Sequence, residues 1–574
     1  MRALSSSIEH LRGWRRNVCA AVAGAFSVLS MAPFFLWPVL FVTLPVLVWL
    51  IDAQCAPREA TATRDDAENP SATLAAHRPS ALRRVLRHPT FRAGLIGWWF
   101  GFGYFVPGLF WIGEAFLVEA EKFAVLLPFA VTLLPAGLAV FWGAATALAS
   151  RLWSRGLPRV LALALALSAA EWLRGHVLTG FPWNVLGYAL TWPLPLMQSA
   201  SVLGIYGLTL LTVLVFATPL VLASDVAAGR LAARWRTIGI AIAALPLILL
   251  GVLGAWRLDA ADDAPDSGVR VRIVQPSIPQ REKWRPENQQ RIFAEHIALS
   301  LHNAAGEKDD ADGVRLIVWP EAAMPFLPLQ SPGVLASIGR MLPEGSYLLS
   351  GGLRLEEPIA GAPPGAAAAQ RRVFNSLIAF DSAGRAAAIY DKIHLVPFGE
   401  YLPLQTLLES IGLEQLSRMR GGFATGPTPR PLIALPGLPE LGPLICYEAI
   451  FPGAVVQGAD RPAALVNITN DGWFGNTTGP RQHLHQTRVR AIEEGLPIIR
   501  AANNGISQII DGKGRVLGRL GLDVKGSIDA TLPAPLAPPF YARYGDLIFW
   551  LAWFAGLVGL FTVRHFGSPA APAP

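Results

Sequence analysis

The uneven distribution of apolar residues constrains the fold of this chain more than any other feature. A transmembrane helix needs about 20 predominantly apolar residues, with a range of about 17 to 25. About eight stretches meet or approach that length, at residues 18–35, 36–51, 93–113, 123–148, 160–173, 194–223, 238–256 and 547–563. The sequence therefore predicts a membrane bundle of about seven spans at 1–256, a soluble domain at 257–545, a C-terminal transmembrane helix at 546–564 and a disordered tail at 565–574.

Charges in the short loops predict how the bundle is oriented. Short loops rich in arginine stay in the cytoplasm. Arginines cluster before the first predicted span and in the second, fourth and sixth loops, at Arg12, Arg15, Arg16, Arg58, Arg64, Arg78, Arg83, Arg84, Arg87, Arg151, Arg155, Arg159, Arg230, Arg234 and Arg236. We therefore expect both termini in the cytoplasm and the soluble domain outside it. A cleaved signal peptide over the first span is the alternative, but no clear small-residue cleavage site follows it.

The same arginines account for the basic character of the chain, which has a formal net charge of +7. That charge gives no indication of a nucleic-acid partner, since the sequence contains no aromatic-basic nucleic-acid module. Within the soluble domain, short apolar runs alternate with helical patterns. Strands are predicted at 271–274, 316–319, 347–350, 376–380, 386–390, 444–446 and 464–468, with helices around 288–305 and 482–494. The pattern indicates a layered α/β domain.

Three predicted strand ends carry groups with catalytic chemistry. Glu321 follows a strand and a proline, Lys392 follows the strand at 386–390, and Cys446 ends the strand at 444–446. Each has a structural interpretation as well: a solvated carboxylate, a lysine paired with Asp391 and an inert core thiol. Cys446 is the only one of the three cysteines in the soluble domain, so a disulfide within that domain is excluded.

Glu, Lys and Cys in this order resemble the catalytic blocks of the nitrilase superfamily. The blocks are Trp-Pro-Glu at 319–321, Asp-Lys-Ile-His-Leu-Val-Pro-Phe-Gly-Glu at 391–400 and Cys-Tyr-Glu at 446–448. Further blocks at 275–280, 470–475, 171–175 and 180–184, together with the surrounding bundle, are similar to the apolipoprotein N-acyltransferase family, whose members are membrane-embedded nitrilase relatives. This resemblance implies an extracytoplasmic αββα sandwich beside the multi-pass helical bundle.

The resemblance also implies a reaction. The acyl donor would be a membrane glycerophospholipid, and the acceptor would be the free α-amino group of the S-diacylglyceryl cysteine of an apolipoprotein. Cys446 would form a thioester, Glu321 would act as the base and Lys392 would stabilise the oxyanion, which predicts ping-pong kinetics. The enzyme would be a multi-pass protein of the bacterial inner membrane with its catalytic domain in the periplasm.

Other residues are candidates for supporting roles. Glu400 and Glu448 would position Lys392 or Glu321, or would form purely structural ion pairs; Tyr447 would shape the oxyanion site or would be a core residue. Candidates for contact with lipid substrates, each with core packing or an interfacial position as its alternative, are Trp284, Trp473, Phe474, Arg174 and Trp183. No cofactor is implied, and His394, His483 and His485 lack a convincing zinc-binding spacing.

Two other functions are compatible with parts of the sequence. A membrane-tethered nitrilase-type amidase would use the same three residues and water as the acceptor, but eight spans are hard to reconcile with a small amide substrate. A transporter or scaffold would leave Cys446 as an inert thiol. Few ionisable residues apart from Glu171 fall within the predicted spans, which argues against a transport pathway.

Overall fold

The computed structural model describes residues 2–55, 84–86, 88–225, 230–260, 266–302, 313–356, 372–410, 415–416, 422–458 and 460–566. The predicted tail from residue 567 onward and most of the arginine-rich loop at 58–87 lie outside these residues. Among the described residues, the longer helices of the bundle are α1 (Arg2–Glu9), α2 (Gly13–Ser27), α3 (Leu40–Cys55), α4 (Pro89–Gly108), α5 (Leu127–Arg151), α6 (Leu157–His176), α7 (Ala200–Asp225) and α8 (Arg230–Asp259).

Five helical segments of the described chain are long and apolar enough to cross a membrane, namely Trp37–Cys55, Ala120–Arg151, Ala200–Asp225, Ala233–Asp259 and Leu547–His565. The bent pair Pro89–Gly108 and Phe110–Leu117 makes six if it is one span. The predicted spans at 18–35 and 160–173 are not among these segments. They correspond to α2, which has only 15 residues, and to α6, which contains Arg159, Glu171 and Arg174. The count of eight and the orientation of the bundle remain predictions.

The α/β domain contains two sheets. The first has the strand order β11-β1-β2-β3-β4-β5 and the second has the order β10-β9-β8-β7-β6. Their strands are β1 (Arg270–Gln275), β2 (Leu316–Val318), β3 (Tyr347–Glu356), β4 (Arg372–Phe380), β5 (Ala386–Asp391), β6 (Leu441–Ile445), β7 (Ala464–Thr469), β8 (Ile498–Ala502), β9 (Ser507–Ile510), β10 (Val516–Leu520) and β11 (Gly526–Thr531). All seven predicted strands are present, and β8 to β11 are additional.

Side chains alternate between the two faces of each strand, so the two sheets and the helices outside them pack in four layers. In β2, Leu316 and Val318 join a core that includes Ile445 and Val466 from the second sheet, whereas Ile317 faces an outer core with Trp319. Because successive side chains of a strand point to opposite faces, each sheet buries one face against the other sheet and its second face against helices. The outer helices are α9 (Gln289–Ser300), α10 (Pro332–Met341) and α11 (Gly479–Glu494). The predicted αββα sandwich is confirmed.

Polar contacts attach the domain to the bundle. In α7, Gly204 has φ +60°, and the ring of Tyr541 occupies the space that a Cβ atom would need. The backbone N–H of Ile205, next to this kink, donates to the buried Glu493 Oε1 at 3.1 Å. The chain then returns to the bundle through α12 (Leu547–Phe566). The helix kink is thus satisfied by a carboxylate from α11, which fixes the domain on one side of the bundle.

Candidate active site

Cys446 lies at a sharp turn between β6 and a short 3-10 helix, Cys446–Ile450. Its φ of +50° is unusual for a residue with a side chain. The Cys446 carbonyl oxygen lies 3.1 Å from His483 Nε2 and accepts a hydrogen bond of 3.4 Å from Asn467 Nδ2. These buried partners hold the carbonyl in the orientation that the turn requires. The strained position is therefore determined by the surrounding structure, as at many functional sites.

Glu321 lies beyond the carboxyl end of β2 and is 8% exposed. Its Oε1 accepts from Asn375 Nδ2 at 2.8 Å, and its Oε2 accepts from the backbone N–H of Asn470 at 2.9 Å. Lys283 Nζ donates to the main-chain carbonyl of Glu321 at 3.0 Å. Burial raises the pKa of Glu321, as does Glu400, and these effects exceed the opposing effect of Lys392. A buried carboxylate with a raised pKa is well suited to accept a proton.

Lys392 follows β5 and is 1% exposed. Its Nζ lies 2.9 Å from Glu400 Oε1 and 3.8 Å from Glu321 Oε1. Burial lowers the pKa of Lys392, but Glu400 and Glu321 outweigh that effect, and the net shift is upward. Lys392 is therefore a fixed ammonium group beside the carboxylate of Glu321.

The Cys446 thiol lies close enough to Glu321 and Lys392 for their charges to shift its pKa. Burial raises its pKa, and the charge of Glu321 raises it further, while Lys392 and a hydrogen bond with Thr469 lower it. The net pKa is well above that of a free cysteine, because burial and Glu321 outweigh the nearby ammonium group of Lys392. A nucleophilic reaction at this thiol requires removal of its proton, and the neighbouring carboxylate of Glu321 is a group that can accept one.

A second charged cluster also adjoins Cys446. Asp471 accepts from Arg500 Nη2 at 2.8 Å and from Thr469 Oγ1 at 2.9 Å, and its Oδ1 lies 2.9 Å from His483 Nδ1. Although burial raises the pKa of Asp471, Arg500 and His483 outweigh it and lower the pKa to about 2. Burial and Arg500 lower the pKa of His483. Sequence reasoning cited Asp471 only within a family block and missed Arg500, because no motif links Arg500 to Cys446.

Sequence comparisons match the two parts of the chain separately. The profile of the apolipoprotein N-acyltransferase N-terminal domain matches residues 75–218, and that of the carbon-nitrogen hydrolases matches residues 270–538. The apolipoprotein N-acyltransferase of Rhodopseudomonas palustris is 46% identical over 550 residues, covering 95% of this chain and 94% of the relative. Those of Bradyrhizobium diazoefficiens and Brucella melitensis are each 45% identical, covering 95% and 94% of this chain and the same shares of their own.

This chain belongs to the apolipoprotein N-acyltransferase family. Among solved structures, an amidase from Nesterenkonia sp. aligns with 51% of this chain and 100% of its own length, at 19% identity and a TM-score of 0.33. That likeness is too distant to bear on the chemistry of the family member described here.

Glu400 and Glu448 support different parts of the site in this family member. Glu400 holds Lys392 and also accepts from Asn375 Nδ2 at 3.0 Å. Glu448 contacts neither Lys392 nor Glu321 by a hydrogen bond within the described structure. Its carboxylate instead accepts backbone N–H groups of Ile445, Ile393 and His394, at 2.8, 3.0 and 3.1 Å. Glu448 therefore ties the segment that bears Lys392 to the turn that bears Cys446.

Tyr447 connects the site to the helical bundle. The Tyr447 hydroxyl donates to the carbonyl of Gly180 at 3.0 Å, so it joins the domain to the loop after α6. Arg174 holds the same loop, because its guanidinium donates to the carbonyls of Phe181 and Trp183. Arg174 also pairs with Glu171 at 2.6 Å.

Arg174 and Trp183 are buried, which corrects the expectation that they contact lipid substrates. The two residues are 2% and 1% exposed, and Trp183 Nε1 donates to Gln482 Oε1 at 2.8 Å. Phe474 packs against Trp111 and Trp183, with ring centroids 4.4 and 6.1 Å away. Trp473 is half-buried, whereas Trp284 is 43% exposed. Of the five candidates for substrate contact, Trp284 has the most accessible side chain.

The three histidines that were considered as metal ligands have other partners. His483 faces Asp471 and Cys446, His485 Nε2 lies 2.6 Å from Thr191 Oγ1, and His394 stacks on Phe451 with ring centroids 3.9 Å apart. Among the residues that the structure describes, no group of three or more His, Cys, Asp or Glu side chains could hold a metal ion.

Proposed function

We propose that this enzyme moves an acyl chain from a membrane glycerophospholipid to the α-amino group of an S-diacylglyceryl cysteine, through a thioester on Cys446. The observation that carries the proposal is the convergence of Cys446, Glu321 and Lys392 at the carboxyl ends of β6, β2 and β5. Membership of the acyltransferase family supports the reaction class. The geometry and charges of the site support the residue roles given below.

In the first half-reaction, Glu321 takes the proton of the Cys446 thiol while sulfur attacks the ester carbonyl of the donor. Lys392 is placed to neutralise the oxyanion of the tetrahedral intermediate, and its pairing with Glu400 holds it there without further reorganisation. When the intermediate collapses, the ester C–O bond breaks. The departing oxygen takes the proton back from Glu321, and the products are an acyl thioester and a lysophospholipid.

In the second half-reaction, the neutral α-amine attacks the thioester carbonyl. Glu321 accepts a proton from the nitrogen, and Lys392 again stabilises the oxyanion. The C–S bond then breaks, the sulfur regains a proton from Glu321, and an amide is formed. Both half-reactions use the same three groups, so donor and acceptor occupy the site in turn.

The helical bundle suits substrates that are anchored in a bilayer. Pulling an acyl chain out of the membrane costs about 0.8 kcal/mol for each CH2 group, which a membrane-bound enzyme largely avoids. The five apolar helical segments support membrane association. We further propose a bacterial inner-membrane location, a bundle at 1–256, a periplasmic domain at 257–545 and a last span at 546–564. Thiol labelling of single-cysteine variants in intact cells would test the orientation, and labelling of residue 288 only after lysis would contradict it.

The decisive experiment follows the acyl group through both half-reactions. Purified enzyme incubated with phospholipid should gain one acyl mass on Cys446, with one lysophospholipid released per enzyme and little free fatty acid. An S-diacylglyceryl peptide with a free α-amine should discharge the thioester, and the same peptide with an acetylated amine should not. Rapid release of fatty acid without acceptor would contradict the proposal and support a hydrolase.

A further inference from the structure

Glu321 lies on a turn that packs closely against the main chain of β3. Ala322, the residue after it, has φ +48°. The N–H of Gly351 donates to the Pro320 carbonyl at 3.2 Å, and the Gly351 carbonyl accepts from the N–H of Ala323 at 3.1 Å. A Cβ atom on Gly351 would lie 2.6 Å from Glu321 Cα, so strand and turn are already in close contact. A strained turn of this kind persists only where its surroundings hold it.

The carbonyl of Glu321 itself is held by a lysine. Lys283 Nζ donates to it at 3.0 Å, and Lys283 is 1% exposed. This is the single hydrogen bond of the ammonium group among the residues that the structure describes. A buried ammonium group has a large desolvation cost, and one bond to a neutral carbonyl compensates little of it. A neutral donor would satisfy the carbonyl at a lower cost, so the positive charge needs a separate explanation.

The charge balance around Glu321 supplies that explanation. The carboxylates of Glu321 and Glu400 lie 3.8 and 2.9 Å from Lys392 Nζ, and two carboxylates beside one ammonium group leave this buried cluster with one negative charge. The thiol of Cys446 does not change that count, because its raised pKa keeps it neutral at neutral pH. Lys283 and Lys392 both lower the pKa of Glu321. Lys283 therefore provides the positive charge that the cluster otherwise lacks.

His296 is the other titratable group that Lys283 influences. Its Nδ1 lies 2.8 Å from the carbonyl of Ile292, and burial together with Lys283 lowers its pKa to about 4, so it is neutral at neutral pH. Glu321 is thus the anion that acts on Lys283 in the described structure. Burial lowers the pKa of Lys283 to about 7, and Glu321 opposes this shift. Lys283 is therefore mainly charged in the acidic range where Glu321 takes up a proton.

We propose that Lys283 is a positioning residue for the base: it holds the turn that bears Glu321 and balances the negative charge that Glu400 adds to the cluster. The inference rests on the proposed function and deepens the role of Glu321 in it. A nearby cation makes Glu321 a weaker base and its protonated form a stronger acid, which favours return of the proton to the departing oxygen or sulfur. It also keeps Glu321 ionised at a lower pH than burial beside Glu400 would allow.

The pH dependence of thioester formation tests the charge of Lys283 separately from its hydrogen bond. Lys283→Gln removes the charge and keeps an N–H donor, so the acid limb of the rate should move up by about one pH unit. Lys283→Met removes both, so it should show the same shift and also react about tenfold more slowly at its optimum pH. The measurement is single-turnover release of lysophospholipid from phosphatidylethanolamine by the full-length enzyme.

Lys525→Met is the matched control, because Lys525 is 56% exposed and pairs with Glu295 at the surface. It should leave both the rate and the pH profile unchanged. A slower Lys283→Gln enzyme whose acid limb stays in place would show that Lys283 only supports the turn, and it would overturn the proposal. A shift of the acid limb to lower pH would overturn it as well.

A double-mutant cycle on stability tests the pairing without turnover. Glu321→Gln removes the anion and keeps the shape, so Lys283→Met should lower the Tm in detergent much less in Glu321→Gln than in the wild-type background. Loss of the carbonyl contact alone would lower the Tm equally in both, and equal shifts would overturn the charge pairing. Lys283→Gln takes the place of Lys283→Met if the latter does not fold. If the wild-type enzyme formed no thioester, the proposed function would fail, and this cycle would still decide whether Lys283 and Glu321 are paired.

Discussion

Two charged clusters adjoin Cys446, and they differ in how completely their charges are balanced. In the first cluster, burial keeps the pKa of Glu321 raised although Lys392 is nearby. In the second cluster, Arg500 and His483 lower the pKa of the equally buried Asp471 to about 2. Asp471 accepts hydrogen bonds at both oxygens from a guanidinium and a hydroxyl, whereas Glu321 shares its ammonium partner with Glu400.

The contrast distinguishes a carboxyl group that can exchange a proton from one that is suited to maintain structure. A carboxylate that an ammonium only partly compensates can be protonated at a modest cost, so Glu321 can act as a base. A carboxylate held by a guanidinium at 2.8 Å stays ionised and orients its neighbours instead. The first cluster should therefore control rate, and the second should control stability and the shape of the turn at Cys446.

The largest effect is expected at Cys446, the proposed nucleophile. Cys446→Ala and Cys446→Ser should both abolish acyl transfer. Alanine has no nucleophilic group, and the alcohol of serine is far harder to ionise than a thiol, with Glu321 a weak base for it. The protein should remain folded. Mass spectrometry after incubation with phospholipid checks for the adduct, and thermal unfolding in detergent provides the control. Measurable turnover by Cys446→Ala would remove the nucleophile from the mechanism.

Replacing the ammonium group tests the rate-controlling cluster. Lys392→Ala should slow thioester formation on the order of 100-fold or more, because the oxyanion loses its charged partner. Single-turnover measurements of lysophospholipid release would give this rate. Lys525→Ala is a suitable control, since Lys525 is 56% exposed and pairs with Glu295 at the surface. A rate within a few-fold of wild type in Lys392→Ala would contradict the oxyanion role.

Removing the carboxylate of the other cluster should act on stability. Asp471→Ala leaves Arg500 buried without its partner, which typically costs about 3–5 kcal/mol. Thermal unfolding in detergent would measure the loss, and the exposed Asp266→Ala should change stability by no more than about 0.5 kcal/mol. If Asp471→Ala kept wild-type stability and lost only the chemical step, the proposed division between the clusters would be wrong.

The two clusters should also respond to acid in separate pH ranges. Glu321 must be ionised to act as a base, so kcat/KM should fall about tenfold per pH unit below its pKa, which lies above 4.5. The pKa of Asp471 is lowered to about 2 from 3.8, so its contribution to stability is present above pH 4 and is lost between about pH 4 and 2. Activity should therefore fall reversibly before unfolding begins. Coincident loss of activity and near-UV circular dichroism would contradict this separation.

Some features of the catalytic domain were predictable because they depend on local sequence. Strand β2 followed by Pro320 places Glu321 just beyond a strand end, and the apolar run of β6 ends directly before Cys446. The strands β8 to β11 were not predicted, although β8 is fully buried. Arg500 interrupts the otherwise apolar residues of β8, and only its contact with Asp471 explains why a charged side chain is buried in this strand.

The sequence by itself determined the division into apolar bundle and α/β domain, since hydropathy and strand periodicity are properties of neighbouring residues. It also indicated Glu321, Lys392 and Cys446 as a group, through their resemblance to a family. Only the tertiary structure decided which charges are compensated. Arg174 was expected to contact a lipid substrate, yet it binds Glu171 and the carbonyls of Phe181 and Trp183. The direction of the pKa shift at Cys446 likewise depends on burial and on charges from distant segments, which no local pattern records.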